Sequence, residues 1–175
     1  MIRDALSVQA LPRLVSEIDA ALAASADFPQ RIRAALLAAS QDTQLLSPAQ
    51  RTSDPQTYTR HLLAADPHGR YAIAALVWEP GQASPVHGHR TWCAYAVIEG
   101  TLAETLFRWD PATNRAIETR RHAREPGAVS YVGAGRGAIH QLGNPPDAGR
   151  RAMSLHVYGV AAAQIATHVN DLVAV

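Results

Sequence analysis

Three histidines and a cysteine stand in a spacing that suits metal chemistry. The first fragment reads Gly81-x5-His87-x-His89-x3-Cys93-x6-Gly100, and a second, Gly137-x2-His140-x3-Asn144, follows further along the chain. Two histidines at i and i+2 of an extended segment project to the same side of a sheet. A third from a neighbouring strand completes a facial set of neutral nitrogen donors and leaves the opposite face of a metal open to substrate. A structural site would instead close its shell with a fourth ligand. Iron, zinc, nickel and manganese would all accept this donor set. Near the end of the chain, Ser154, His156 and Tyr158 fall at i, i+2 and i+4 of one apparent strand, so they share a face, while Met153, Leu155 and Val157 take the other. A hydroxyl, an imidazole and a phenol in a row could pass a hydrogen bond along that strand and hold the phenol in place.

The elements that must position these residues change character along the chain. In the first fifty positions Val8, Leu11, Leu14, Val15, Ile18 and Leu22 recur at helical spacing. Asp27-x-x-Gln30 with Pro29 reads as a capped helix start, with Ile32, Leu36 and Leu37 as its buried side. Ser47-Pro48-Ala49-Gln50 repeats the start signal before a short helix or turn. From Thr57 onward the runs are short and β-rich. The spacing predicts strands over 57–63, 71–78, 94–98, 104–109, 117–121, 128–132 and 153–158, with turns at Asp66-Pro67-His68-Gly69, Glu79-Pro80-Gly81, Asp110-Pro111 and Asn144-Pro145-Pro146-Asp147. Many short, closely spaced strands favour a sandwich or small barrel over a parallel sheet with crossover helices.

Composition excludes several classes. The chain has 175 residues, enough for one self-sufficient core, and a formal net charge of +1, which gives no nucleic-acid footprint. All 16 basic residues are arginine. No apolar run approaches the length of a membrane span, and Met1-Ile2-Arg3-Asp4 lacks an export pattern. A single cysteine cannot form an internal disulfide, so a reducing cytoplasm is the expected setting.

The glycine and histidine frame resembles the cupin superfamily. Cys93, at a position where most cupins carry a ligating glutamate, together with Ser154-x-His156-x-Tyr158, resembles the thiol dioxygenases, and the bacterial members of the cysteine dioxygenase type I family in particular, from about Tyr58 to Tyr158. This resemblance implies a mainly β fold, a cupin-like β-barrel (jelly roll) over residues 54–175 with an N-terminal helical cap over 1–53. It implies Fe(II) held by His87, His89 and His140. Three imidazoles bring no negative charge, so the ion would favour a substrate that supplies its own anion, and a thiolate does so. Arg60 matches the arginine that pairs the substrate carboxylate, a task suited to a planar fork that stays charged, and Tyr58 would lie near the same pocket. Tyr158, supported by Ser154 and His156, would stand beside the metal, and Cys93 could be joined to it covalently. The connection Arg90-Thr91-Trp92 is one residue shorter than in mammalian-type enzymes, which favours the unlinked pair.

The implied partners are a small thiol, L-cysteine first, and O2, acting on a monomer and yielding cysteine sulfinic acid, an intermediate of cysteine and taurine metabolism. Two rival readings stay open. Trp92 and Gly159 resemble a bacterial 3-mercaptopropionate dioxygenase branch, whereas Arg60 and the lack of any arginine in 159–175 favour cysteine. A non-catalytic metal-binding cupin sensor would need neither Arg60 nor the serine–histidine–tyrosine strand. His61, His68, His122 and His168 are expected at the surface.

Overall fold

The apolar stripe at the start of the chain forms helix α1 (Ala10–Ala24) in the computed structural model, which describes residues 10–24 and 26–175. Leu14, Ile18 and Ala21 are buried, and Leu11, Val15 and Leu22 pack at the margin of the same cluster; Val8 lies outside the described residues. Helix α2 (Phe28–Ser40) buries Ile32, Ala35, Leu36 and Ala39. Two expectations fail here. Leu37 is exposed, because it sits about 100° round the helix from Leu36. Asp27 occupies the cap position but with a left-handed backbone (φ 55°) and no side-chain cap hydrogen bond; its side chain is not placed to reach the first-turn N–H groups. The third start signal gives a single 3-10 turn, Pro48–Arg51, in which the Gln50 side chain accepts a hydrogen bond from the Ser47 N–H at 3.0 Å.

Ten strands follow: β1 (Thr59–Ala65), β2 (Ala72–Trp78), β3 (His87–His89), β4 (Cys93–Glu99), β5 (Leu102–Asp110), β6 (Arg115–Arg124), β7 (Val129–Val132), β8 (Gly135–Gly143), β9 (Ala152–Tyr158) and β10 (Asn170–Leu172). They form two five-stranded sheets, β1-β2-β9-β4-β7 and β10-β3-β8-β5-β6, and the pairings within each are antiparallel. This is the mainly β architecture that the sequence leads one to expect, with its strands in two antiparallel sheets.

The first sheet is covered on both sides, which explains why β2 and β9 are buried at every position. Ile73, Ala75, Val77, Ala94, Ala96, Met153, Leu155 and Val157 meet α1 and α2. The alternate residues, among them Ala74, Leu76, Trp78, Cys93, Tyr95 and Tyr158, face the barrel interior and meet Leu102 and Leu142 of the second sheet. The helices therefore cover the back of the sheet whose front bears Ser154, His156 and Tyr158. Gly100 makes the β4–β5 turn with φ 71°, and a side chain there would come within 2.8 Å of the Arg151 carbonyl oxygen, so both the backbone and the space require glycine.

Candidate metal centre and active site

His87 and His89 lie on β3, a strand of three residues held between β8 and β10. His87 pairs directly with His140 of β8, and His89 with Asn170 of β10. The i, i+2 spacing and this register bring the three imidazoles into a near-equilateral triangle, with ring centroids 5.0 Å (His87–His89), 4.8 Å (His87–His140) and 5.0 Å (His89–His140) apart. One ligand atom from each lies within 4.8 Å of the others, and all three side chains are buried. His87 Nδ1 donates to the Pro85 carbonyl at 2.8 Å, and His140 Nδ1 to the Glu104 carboxylate at 2.8 Å. Each contact leaves Nε2 free to face a metal. Burial and the neighbouring imidazole charges push His87 down to about 4 and His89 to about 3, so both are neutral donors at physiological pH. Buried and converging imidazole nitrogens fit a divalent transition metal, with no carboxylate in the triangle.

The facing wall comes from the first sheet. Arg60 on β1 pairs with Leu76 of β2, which pairs in turn with Ser154 of β9. The Arg60 guanidinium carbon is 5.9 Å from the Tyr58 ring centroid and 5.8 Å from that of Tyr158, and its Nε is buried without a hydrogen-bond partner. A cation that faces the Tyr158 hydroxyl and keeps its Nε–H unspent, across the cavity from the histidines, is a place for an anion. Tyr58 stacks on Trp78 with centroids 4.4 Å apart. The cavity between the two walls is narrow, about 30 Å³, with Val169 and Asn170 closing one side.

Along β9 the expected relay is present in part. The Trp78 indole N–H donates to Ser154 Oγ at 2.9 Å, and Ser154 Oγ meets His156 Nε2 at 2.8 Å. Ser154 Oγ is thus shared between the Trp78 N–H and His156 Nε2, which fixes the imidazole from its Nε2 side. The His156 Nδ1 is buried and unpartnered. The last link to the phenol is a ring stack instead of a continued hydrogen bond: His156 lies between Tyr95 (5.4 Å) and Tyr158 (5.6 Å). Burial, then the charge of Arg60, holds His156 well below its usual value. Burial pushes the Tyr158 phenol up, against the opposing charge of Arg60.

Cys93 pairs directly with Tyr158 across β4 and β9, and burial pushes its thiol up to about 12. The short Arg90-Thr91-Trp92 connection is seated on Gly159. Thr91 Oγ1 donates to the Gly159 carbonyl at 2.8 Å, and the Gly159 N–H donates to the Trp92 carbonyl at 3.0 Å. A side chain at Gly159 would come within 2.2 Å of the Trp92 indole nitrogen.

Three participants escape a reading of the sequence. Trp78 looks like core, and only its indole contact reveals its place in the relay. Glu104 lies beside the arginine-rich strand β6, where an acidic residue normally faces solvent, yet it is buried beneath His140. His122, expected at the surface, is half-buried and lies 3.2 Å from Glu104, because it is the direct cross-strand partner of that residue. The other three extra histidines are peripheral: His68 and His168 are exposed, and His61 Nε2 rests on the Thr52 carbonyl.

Comparison with known proteins gives a consistent picture. The family model for cysteine dioxygenase type I matches residues 5–169. The cysteine dioxygenase type 1 of Rattus norvegicus is 30% identical over 107 residues, covering 60% of this chain and 52% of that protein; the human protein is 29% identical with the same coverage. The matched chain spans about half the length of these curated relatives. Among solved structures, TT1209 of Thermus thermophilus superposes with a TM-score of 0.50 at 20% identity, over 66% of this chain and 96% of its own. An RmlC-like cupin with a double-stranded β-helix fold from Methanocaldococcus jannaschii gives 0.45 at 16% identity, over 66% and 92%.

Proposed function

The chain belongs to the cysteine dioxygenase type I family, and from that premise we propose that it is an Fe(II)-dependent thiol dioxygenase acting on L-cysteine. Both atoms of O2 are added to the thiol sulfur, giving cysteine sulfinic acid. Sulfur loses four electrons and O2 gains four, so no external reductant is needed. His87, His89 and His140 would hold the iron, which when bound supplies the site for thiolate and dioxygen.

The observation that carries this reading is the pairing of a buried three-histidine triangle with Arg60, buried in part and unpartnered at Nε, across a narrow cavity. Arg60 binds the substrate carboxylate through its free donors and so sets the distance of the sulfur from the triangle. Tyr58, stacked on Trp78, walls the same subsite. Ser154 and Trp78 hold the His156 ring from its Nε2 side, and Tyr158 keeps its phenolic proton at neutral pH because burial disfavours the phenolate. The small cavity favours a small thiol over a peptide.

A second substrate, 3-mercaptopropionate, is favoured by one feature, the seating of Trp92 on Gly159, which resembles the branch that acts on that thiol. Oxygen uptake by anaerobically iron-loaded protein against cysteine, 3-mercaptopropionate, cysteamine and mercaptosuccinate tests the reading. Cysteine should give the highest kcat/KM, with one O2 consumed per sulfinate formed. A higher kcat/KM for 3-mercaptopropionate replaces the substrate, and no uptake with any thiol removes the activity.

A further inference from the structure

We propose that Glu104 is a positioning residue for the third metal ligand, holding His140 with Nε2 toward the metal and lending the centre an anionic charge from one bond away. The inference rests on the reading of His87, His89 and His140 as metal ligands and goes beyond it. Glu104 lies on β5 with its side chain turned into the barrel, diagonal to His140, since the β5–β8 register pairs Leu106 with His140 and Glu104 with Leu142. It is 5% exposed. Its two oxygens have different tasks. Oε1 accepts the hydrogen bond from His140 Nδ1 at 2.8 Å, while Oε2 faces His122 Nε2 at 3.2 Å and Arg124 Nε at 3.5 Å.

A buried carboxylate without charge partners would be costly and would take up a proton. Arg124 removes that difficulty. It reaches Glu104 from β6, where its own register partner is Leu102, and its guanidinium carbon also sits 5.4 Å from the Tyr95 ring centroid. The Tyr95 hydroxyl faces the same pair without hydrogen-bond geometry to either. Tyr95 stacks in turn on His156, so the charged cluster spans from the back of the metal triangle to the substrate wall.

The three ligands are thus held unequally. His87 leans on the Pro85 backbone carbonyl, and His89 faces the backbone of Ala138 with its Nδ1 short of full hydrogen-bond geometry. Only His140 is backed by a carboxylate, which fixes its tautomer and strengthens its remaining nitrogen as a donor. The triangle itself contains no anion, and Glu104 supplies one without occupying a coordination position.

The test is a competition titration of apoprotein with Fe(II) against a chromophoric chelator under anaerobic conditions, repeated with Co(II), on wild type and Glu104→Gln. The amide keeps shape and an acceptor oxygen but removes the charge. We expect the metal dissociation constant to rise about 10- to 100-fold, with the melting temperature of the apoprotein lowered little or not at all. Glu99→Gln, which removes only the surface partner of Arg51, should leave the constant unchanged. A Glu104→Gln constant within twofold of wild type overturns the proposal, as does a lowered apoprotein melting temperature with unchanged affinity, the mark of a purely structural ion pair. Should the variant fail to fold, 15N-histidine NMR of zinc-loaded wild type decides. Nε2 of His140 metal-bound, with a slowly exchanging, far-downfield Nδ1 proton, supports the proposal; Nδ1 bound to zinc, or no such proton, overturns it. Wild type that binds none of these metals overturns the ligand assignment and this inference together.

Discussion

The two walls of the cavity are built on opposite terms. The second sheet contributes the histidines of β3 and β8 with Glu104, His122 and Arg124 behind them, so its buried carboxylate is met by basic side chains. The first sheet contributes Arg60, Trp78, Cys93, Ser154, His156 and Tyr158, and no acidic side chain among the described residues pairs with Arg60, whose Nε is buried without a partner. A charge matched within the fold is already satisfied. A buried donor left unpaired costs stability in the free protein and regains it when an acceptor arrives. The difference separates a wall whose charges are balanced from one whose cation is left for a bound anion.

Substitutions on the two walls should therefore fail differently. The largest effect is expected from His140→Ala, which should abolish both metal binding and oxygen uptake while circular dichroism still reports a folded barrel; retained metal and activity would remove His140 from the ligand set. Next is Arg60→Ala, which should leave metal content intact. Removing the charged partner of a bound carboxylate costs about 2–5 kcal/mol, roughly 30- to several-thousand-fold, seen as a raised KM for cysteine with little change for cysteamine. Equal losses for both thiols would make Arg60 structural.

A smaller effect concerns acid. His156 normally titrates near 6.5 and is held well below that in the folded chain. The unfolded chain therefore binds more protons below 6.5, so apoprotein stability is full above that pH and falls as pH drops beneath it. Denaturant melts should show this fall, and His156→Gln should make it shallower; His87 and His89 contribute in the same direction. A slope unchanged by the substitution would show that His156 does not carry it. The smallest effect is expected at Cys93. With its thiol pushed up to about 12, it should resist iodoacetamide at pH 8.5 until the protein is denatured, and Cys93→Gly should keep most activity, whereas Tyr158→Phe should slow turnover markedly. Intact mass before and after many turnovers checks the pair, since a persistent Cys93–Tyr158 linked peptide would reverse the preference for the unlinked state.

What could be read from the sequence follows from how local each feature is. The His87-x-His89 pair and the alternation of Met153 to Tyr158 are properties of single strands, and their faces follow from the two-residue period alone. The β8 strand was not legible, because Gly135, Gly137 and Gly143 give it the composition of a turn and its first three residues are exposed; pairing with β3 and β5 imposes the extended form. Glu104 and Trp78 depend on register between strands, which one sequence does not disclose. The relay through β9 was half legible: spacing placed three polar side chains on one face, but whether neighbours bond or stack is decided by ring orientation. At Leu37 and Asp27, helix phase and a left-handed backbone overrode patterns that composition alone supported.

The pairing of β3 with β10 has a consequence for the order of events in synthesis. Arg90, next to the ligand strand, donates to the Asn170 carbonyl 80 residues later, and His87 and His89 are edged by Leu172 and Asn170. At a ribosomal rate of about 5–20 residues per second, these two histidines wait roughly 4 to 16 seconds for the strand that completes their sheet, and His140 arrives only partway through that interval. During the wait a nascent chain offers at most a loose two-nitrogen chelate, without the closed loop that long-range pairing must first form. The three-imidazole triangle therefore cannot be complete until His140 is made, and its edge strand β10, which contributes none of the three histidines, is made last.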